Sequence, residues 1–110
     1  MDTITIFVKD FSVVPGSREL DEGKKAHSGE EFRNTYLEPE FKKILDNDTK
    51  LIVNLDGTIG YGTSWLEEVF GGLARTYGTE IVLNKISFIS EEEPYLVDDI
   101  NDYIKDAKKR

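Results

Sequence analysis

Apolar residues fall along this chain in two rhythms, short runs rich in β-branched and aromatic side chains and longer stretches spaced at three and four. Alternation of the two predicts strands interleaved with amphipathic helices. Residues 3–9, with Ile4, Ile6, Phe7 and Val8, predict a first strand. Pro15-Gly16-Ser17 then breaks the chain, and the polar, glycine-punctuated stretch 18–25 is either a weak edge strand or an ordered loop. Ser28-Gly29-Glu30-Glu31 has the spacing of a capping box, so a helix is expected to start there. Its stripe is Phe32, Tyr36 and Leu37, after which Pro39 fits either a kink or the first turn of a second helix carrying Phe41, Ile44 and Leu45.

Residues 50–55 form a nearly continuous apolar run, the pattern of a central strand covered on both faces. The stretch 56–62 that follows contains Gly57, Gly60 and Gly62 and predicts a loop. From Trp65 the period is helical: Trp65, Val69 and Leu73 make one row, and Leu66, Phe70, Ala74 and Tyr77 the next. Gly71-Gly72 inside that helix costs roughly 1 kcal/mol per glycine relative to alanine, which predicts close packing against another backbone as compensation. Gly78 is the expected helix stop. Residues 80–90 read as a further strand, or as two with a break at Asn84-Lys85. Ser90 and Glu93 repeat the capping-box spacing ahead of a terminal helix built on Leu96, Val97, Ile100, Ile104 and Ala107. Lys108-Lys109-Arg110 would then place cations at the negative end of its dipole.

Composition narrows the class. The chain of 110 residues, 38% hydrophobic, is the size of one domain, taken as 1–110. A formal charge of −8 argues against nucleic acid or an anionic membrane as partner. No stretch approaches the ~20 apolar residues needed to cross a bilayer, and Met1-Asp2-Thr3-Ile4 lacks the basic start of a signal peptide. The absence of cysteine rules out a disulfide framework and fits a reducing compartment, so a cytoplasmic location is expected.

Candidate chemistry concentrates between Asp56 and Leu73. Ser64-Trp65-Leu66-Glu67 has capping-box spacing directly after the predicted central strand and glycine loop, placing Thr63 or Ser64 at a helix N-terminus. A hydroxyl there either caps the helix, contributing about 1 kcal/mol, or accepts a phosphate, which the positive end of the helix dipole would favour.

Pro15-Gly16-Ser17-Arg18, Ser28-Gly29-Glu30-Glu31-Phe32-Arg33, Leu37-Glu38-Pro39, Leu55-Asp56-Gly57 and the ten residues from Ser64 to Leu73 together resemble the bacterial STAS-like domains of unknown function. The resemblance runs over roughly 15–89, and its most specific part is the ordered Ser-x-x-x-Glu-x-Phe-Gly-Gly-Leu set. It implies a STAS-like α/β fold, a mixed sheet of about four strands with helices packed on it. These domains are similar to the STAS domains of anti-sigma factor antagonists, where a strand, loop and helix carry a regulatory serine phosphorylated by a histidine-kinase-like (GHKL) ATPase partner. The resemblance implies that Ser64 lies where that serine would, with Thr63 just before it. Gly62 stands where the antagonists usually have Asp, and Trp65 where they have Gly, so a bulky side chain adjoins the acceptor.

The expected function is therefore a regulatory protein-binding module without catalytic chemistry, cofactor or metal, displaying Asp56, Gly57, Gly60, Tyr61, Gly62, Trp65 and Glu68 to its partner. A small-anion or nucleotide-binding accessory subunit using loop 56–64, and a constitutive structural interaction domain, are the competing readings. The loop has neither the G-x-x-x-x-G-K-[ST] nor the G-x-G-x-x-G pattern. His27, the single histidine, has no second imidazole for a metal site and suits the surface beside Ser28. Arg18 and Arg33 either bind an anion or form internal ion pairs, the second being favoured in so acidic a chain. Glu67 is assigned to the capping box, and Glu91-Glu92-Glu93 to a solvated helix start.

Overall fold

The computed structural model describes residues 2–12 and 28–107. The predicted break at Pro15-Gly16-Ser17, the segment 18–25, Arg18, His27 and the basic tail lie outside them. Strand β1 is Thr3–Phe7, running into a 3₁₀ turn at Val8–Asp10. Helix α1 spans 29–44 without interruption, as Gly29–Phe32, Arg33–Leu37 and Glu38–Ile44. Strand β2 is Lys50–Asn54. Helix α2 spans 63–77, as Thr63–Leu66, Glu67–Gly71 and Gly72–Tyr77. A short helix α3, Thr79–Lys85, leads into β3, Ile86–Ile89, and α4 is Tyr95–Asp106.

Ser28 starts α1 as its spacing predicts, with its Oγ accepting from the Glu31 N–H at 3.1 Å. Proline 39 neither ends nor sharply divides the helix. It lacks an N–H, and its ring crowds the carbonyl four residues back. The turn ahead of it, Arg33–Leu37, is widened, with the Glu38 N–H donating to the Arg33 carbonyl five residues earlier. Helix α2 carries the same widened turn over Glu67–Gly71, where the Gly72 N–H reaches the Glu67 carbonyl.

The described strands form one sheet in the order β1-β2-β3, all parallel, with Ile4 opposite Leu51 and Val53 opposite Phe88. Among the described residues three parallel strands thus stand in place of the expected mixed sheet of about four. Ile81, Val82 and Leu83 sit in α3, where only Val82 is buried and Ile81 is 45% exposed. Gly78, at φ +105°, ends α2, and the chain immediately re-enters a helix whose Thr79 hydroxyl bonds the Ile104 carbonyl at 3.0 Å. Strand geometry begins just past the anticipated break at Asn84-Lys85. Tertiary contact has outweighed β propensity there.

Parallel neighbours need crossovers, and right-handed ones stepping twice in the same direction put both crossover helices on one face. Accordingly α1 and α2 lie side by side. Leu51 and Val53 point into them and are fully buried, whereas Lys50, Ile52 and Asn54 on the other face are half-buried, so β2 is central but not covered equally on its two faces. The core is filled by Phe32, Phe41, Trp65, Phe70, Leu73, Ile100 and Ile104. Each such side chain contributes about 1.5–3 kcal/mol on burial. Phe70 meets Phe88 of the sheet edge-on at 5.1 Å.

The two crossover helices run parallel, and the segments singled out in the sequence face each other along them. A Cβ on Gly29 would lie 2.9 Å from the Trp65 carbonyl oxygen. Phe32 packs on Trp65 with ring centroids 5.2 Å apart, and Phe41 on Tyr77 at 5.0 Å. The Tyr77 hydroxyl donates to Glu38 at 2.7 Å; burial and that carboxylate push its pKa up to about 12. Gly71 and Gly72 do not meet another backbone, as their spacing suggested. The Arg33 guanidinium occupies the room beside Gly72, and the Glu67 carboxylate that beside Gly71. Gly29 is the residue that permits close approach of helix backbones.

Candidate functional site

The loop between β2 and α2 is pinned at the C-terminal ends of β2 and β3. Leu55 extends the ladder, its N–H donating to the Ile89 carbonyl at 2.8 Å. Asn54 accepts from the Asp56 N–H at 3.0 Å, a side-chain-closed turn. Gly57 then takes φ +90°, a conformation that favours glycine. The Lys9 stem covers it from the β1 side.

Asp56 is the fastener of this end of the molecule. Its carboxylate accepts from the backbone N–H groups of Glu91 and Glu92 at 3.1 and 3.0 Å, while the Glu92 carboxylate accepts from the Gly57 N–H at 2.8 Å. The two loops are thereby reciprocally tied. Ser90 does not cap α4 as its spacing suggested: its hydroxyl donates to the Glu93 carbonyl at 2.7 Å, and α4 starts only at Tyr95, after Pro94. Glu91, Glu92 and Glu93 therefore lie in the turn before the helix. Asp56 supplies the acceptor that a local cap would otherwise provide.

Tyr61 closes the loop from below, its hydroxyl donating to the Leu55 carbonyl at 2.7 Å and its ring lying 5.8 Å from that of Trp65. Burial, reinforced by the charges of Asp56, Glu93 and Glu92, drives that hydroxyl well above the usual phenol range, with a bond to Thr58 opposing.

Helix α2 begins two residues earlier than the Ser64–Glu67 spacing implies, and one earlier than a Thr63 cap would give. Gly62, extended at φ −77° and ψ 138°, is the N-cap, and its carbonyl accepts from the Leu66 N–H at 3.2 Å. Ser64 is inside the first turn, so the Ser64–Glu67 capping box does not form. Both Thr63 and Ser64 are exposed, and neither hydroxyl bonds to a described residue. Trp65 is fully buried and turned inward, leaving the neighbouring hydroxyl open. Glu67 engages Arg75, and Glu68 engages Arg33, so the acidic residues three and four positions after Ser64 are both matched by arginine.

A family model described as a STAS-like domain of unknown function (DUF4325) matches residues 28–96. The chain belongs to this family. No curated protein and no solved structure matches this chain.

Within the domain, the sequence-predicted surface divides. Asp56, Gly57, Gly60, Tyr61 and Gly62 are gathered at one end, next to Thr63 and Ser64. Trp65 belongs to the core, and the Glu68 side chain, 14% exposed, is held by Arg33 between the helices. Arg33 is thus the internal ion pair that the acidic composition favoured. Ile59 escaped the sequence reading: it stands 81% exposed on the loop. Its signal was a bulky apolar residue among glycines with no periodic partner. Among the described residues no group of histidine, cysteine or carboxylate side chains could hold a metal, and no helix is long and apolar enough to cross a membrane.

Proposed function

We propose that this STAS-like domain is a regulatory protein-binding module, switched by phosphorylation of Ser64, with Thr63 as the neighbouring acceptor. The exposed Ser64 hydroxyl carries this reading, because the cap role that would explain it structurally belongs to Gly62. A phosphate at this point adds about two negative charges to the positive end of a helix dipole, which the fold can accept. Glu67 and Glu68, the nearest acids along the helix, are already paired. A partner surface docked on the loop would meet the new charge directly. The resemblance to anti-sigma factor antagonists makes a GHKL-type ATPase the partner class, and the domain itself acts without catalysis.

An anion- or nucleotide-binding role is less well supported. The order of the described strands never reverses, so they form no crevice of the doubly wound kind at a switch point. The Asp56 and Gly57 amides are already used, and Asp56, Glu92 and Glu93 surround Tyr61 with negative charge.

The test is a pull-down from native lysate with ATP, using wild type, Ser64→Ala and Ser64→Glu as baits, with mass spectrometry of bound proteins and of the Ser64 peptide. The expected result is a kinase-like ATPase on wild type and Ser64→Ala but not on Ser64→Glu, with phosphate on Ser64 of the wild type. Equal recovery by all three baits with no phosphate would leave a constitutive interaction domain.

A further inference from the structure

We infer that Ile59 is the anchor of the partner contact, entering an apolar socket whose rim carries lysine or arginine. The inference rests on the binding-module reading and adds to it the contact point and the chemistry of the surface it fits.

Among the described large hydrophobic residues Ile59 is the most exposed, at 81%, ahead of Tyr95 at 58%, which has a hydroxyl to offer water or the Glu93 carboxylate. A single exposed aliphatic residue is ordinary on a loose surface loop. This loop is not loose. Asp56 bonds the turn of β3 twice, Glu92 bonds Gly57, Asn54 bonds Asp56, and Tyr61 bonds Leu55, so both sides of Ile59 are fixed. A side chain held outward on a rigid support costs little further ordering when it is buried by a partner. Anchors of protein interfaces have that character: an apolar group seated in a pocket, ringed by polar contacts that exclude water.

Among the described residues the ring around this end of the domain is mainly acidic. Glu91 and Glu92 are exposed, and Asp56 and Glu93 are half-buried beside them, with Lys9 a described cation on the β1 side. Acidic rims repel anionic lipid headgroups and phosphate backbones, and two copies of this surface would repel each other. A socket bordered by cationic side chains is the complementary surface, and its association rate would fall as salt rises.

A photoreactive benzoylphenylalanine at position 59, with position 81 as control, tests this directly, alongside Ile59→Asp, Glu91→Lys and Glu80→Lys proteins. Support requires three results together. The crosslink from 59 but not 81 must map to apolar residues flanked by lysine or arginine. Ile59→Asp must weaken binding of that purified partner at least tenfold while its melting temperature stays at the wild-type value. Glu91→Lys must slow association and flatten its salt dependence, with the matched charge reversal Glu80→Lys, at an exposed position of α3, retaining wild-type affinity. Binding of the same partner within twofold by Ile59→Asp, or a crosslink from 59 only to a second copy of the chain, overturns the anchor and leaves the module reading standing. Absence of any partner on the wild-type protein overturns both.

Discussion

Arg33 of α1 donates both to the carboxylate and, at 2.6 Å, to the backbone carbonyl of Glu68 in α2, joining the two widened helical turns to each other. A widened turn leaves carbonyls imperfectly used by its own helix, and here one of them is taken by the neighbouring helix. The two family-motif segments, 28–33 and 64–73, are thus parts of one interface inside the fold. Removing the guanidinium, on a side chain 17% exposed, would take from the Glu68 carbonyl and from its carboxylate, on a side chain 14% exposed, the partner that Arg33 supplies. Arg33→Ala is expected to destabilise the domain by roughly 1–3 kcal/mol, read as a lower urea midpoint with unchanged slope.

Gly29 and Gly60 make a matched pair for testing close approach. A methyl group on Gly29 would lie 2.9 Å from the Trp65 carbonyl, a backbone atom that can yield only by parting the helices, whereas nothing lies within 4 Å of the corresponding position on Gly60. Gly29→Ala is expected to cost about 1–3 kcal/mol. Gly60→Ala should fall within about 0.5 kcal/mol of wild type in the same denaturant titration.

Asp56 and Ser64 exchange the roles that local spacing gives them. Asp56→Ala frees the Glu91 and Glu92 amides, and the loss should match that of a helix cap, about 0.5–2 kcal/mol. Ser64→Ala should change stability by no more than about 0.5 kcal/mol. Hydrogen exchange adds a local readout: Asp56→Ala should raise exchange at 91 and 92, and Ser64→Ala should not.

Alkaline titration should weaken the fold through two half-buried phenols. Tyr77 is raised to about 12, chiefly by burial and then by the Glu38 carboxylate, and Tyr61 is raised further, chiefly by burial. A free phenol ionises near ~10, so the unfolded chain releases these protons first. Stability contributed by the neutral phenols is fully present below about pH 10 and is lost as pH rises through the folded values. Urea midpoints should therefore drop between about pH 10 and 12, and Tyr77→Phe should reduce the slope of that drop.

Sequence alone determined what depends on near neighbours. Rows spaced four apart, such as Trp65, Val69 and Leu73, marked the buried face of α2, Leu96, Ile100 and Ile104 that of α4, and Ser28 the start of α1. Ordered motifs were enough to name the family. Tertiary structure decided what depends on distant partners: that 79–85 is helical rather than extended, that Gly62 caps α2, and that Trp65 and Glu68 turn away from the proposed binding surface. It also decided that Asp56 serves residues 35 and 36 positions away, and that Ile59 is displayed. Spacing records the period of a helix or strand, but a carboxylate capping another loop leaves no period, because its partner is chosen by where the strand ends meet.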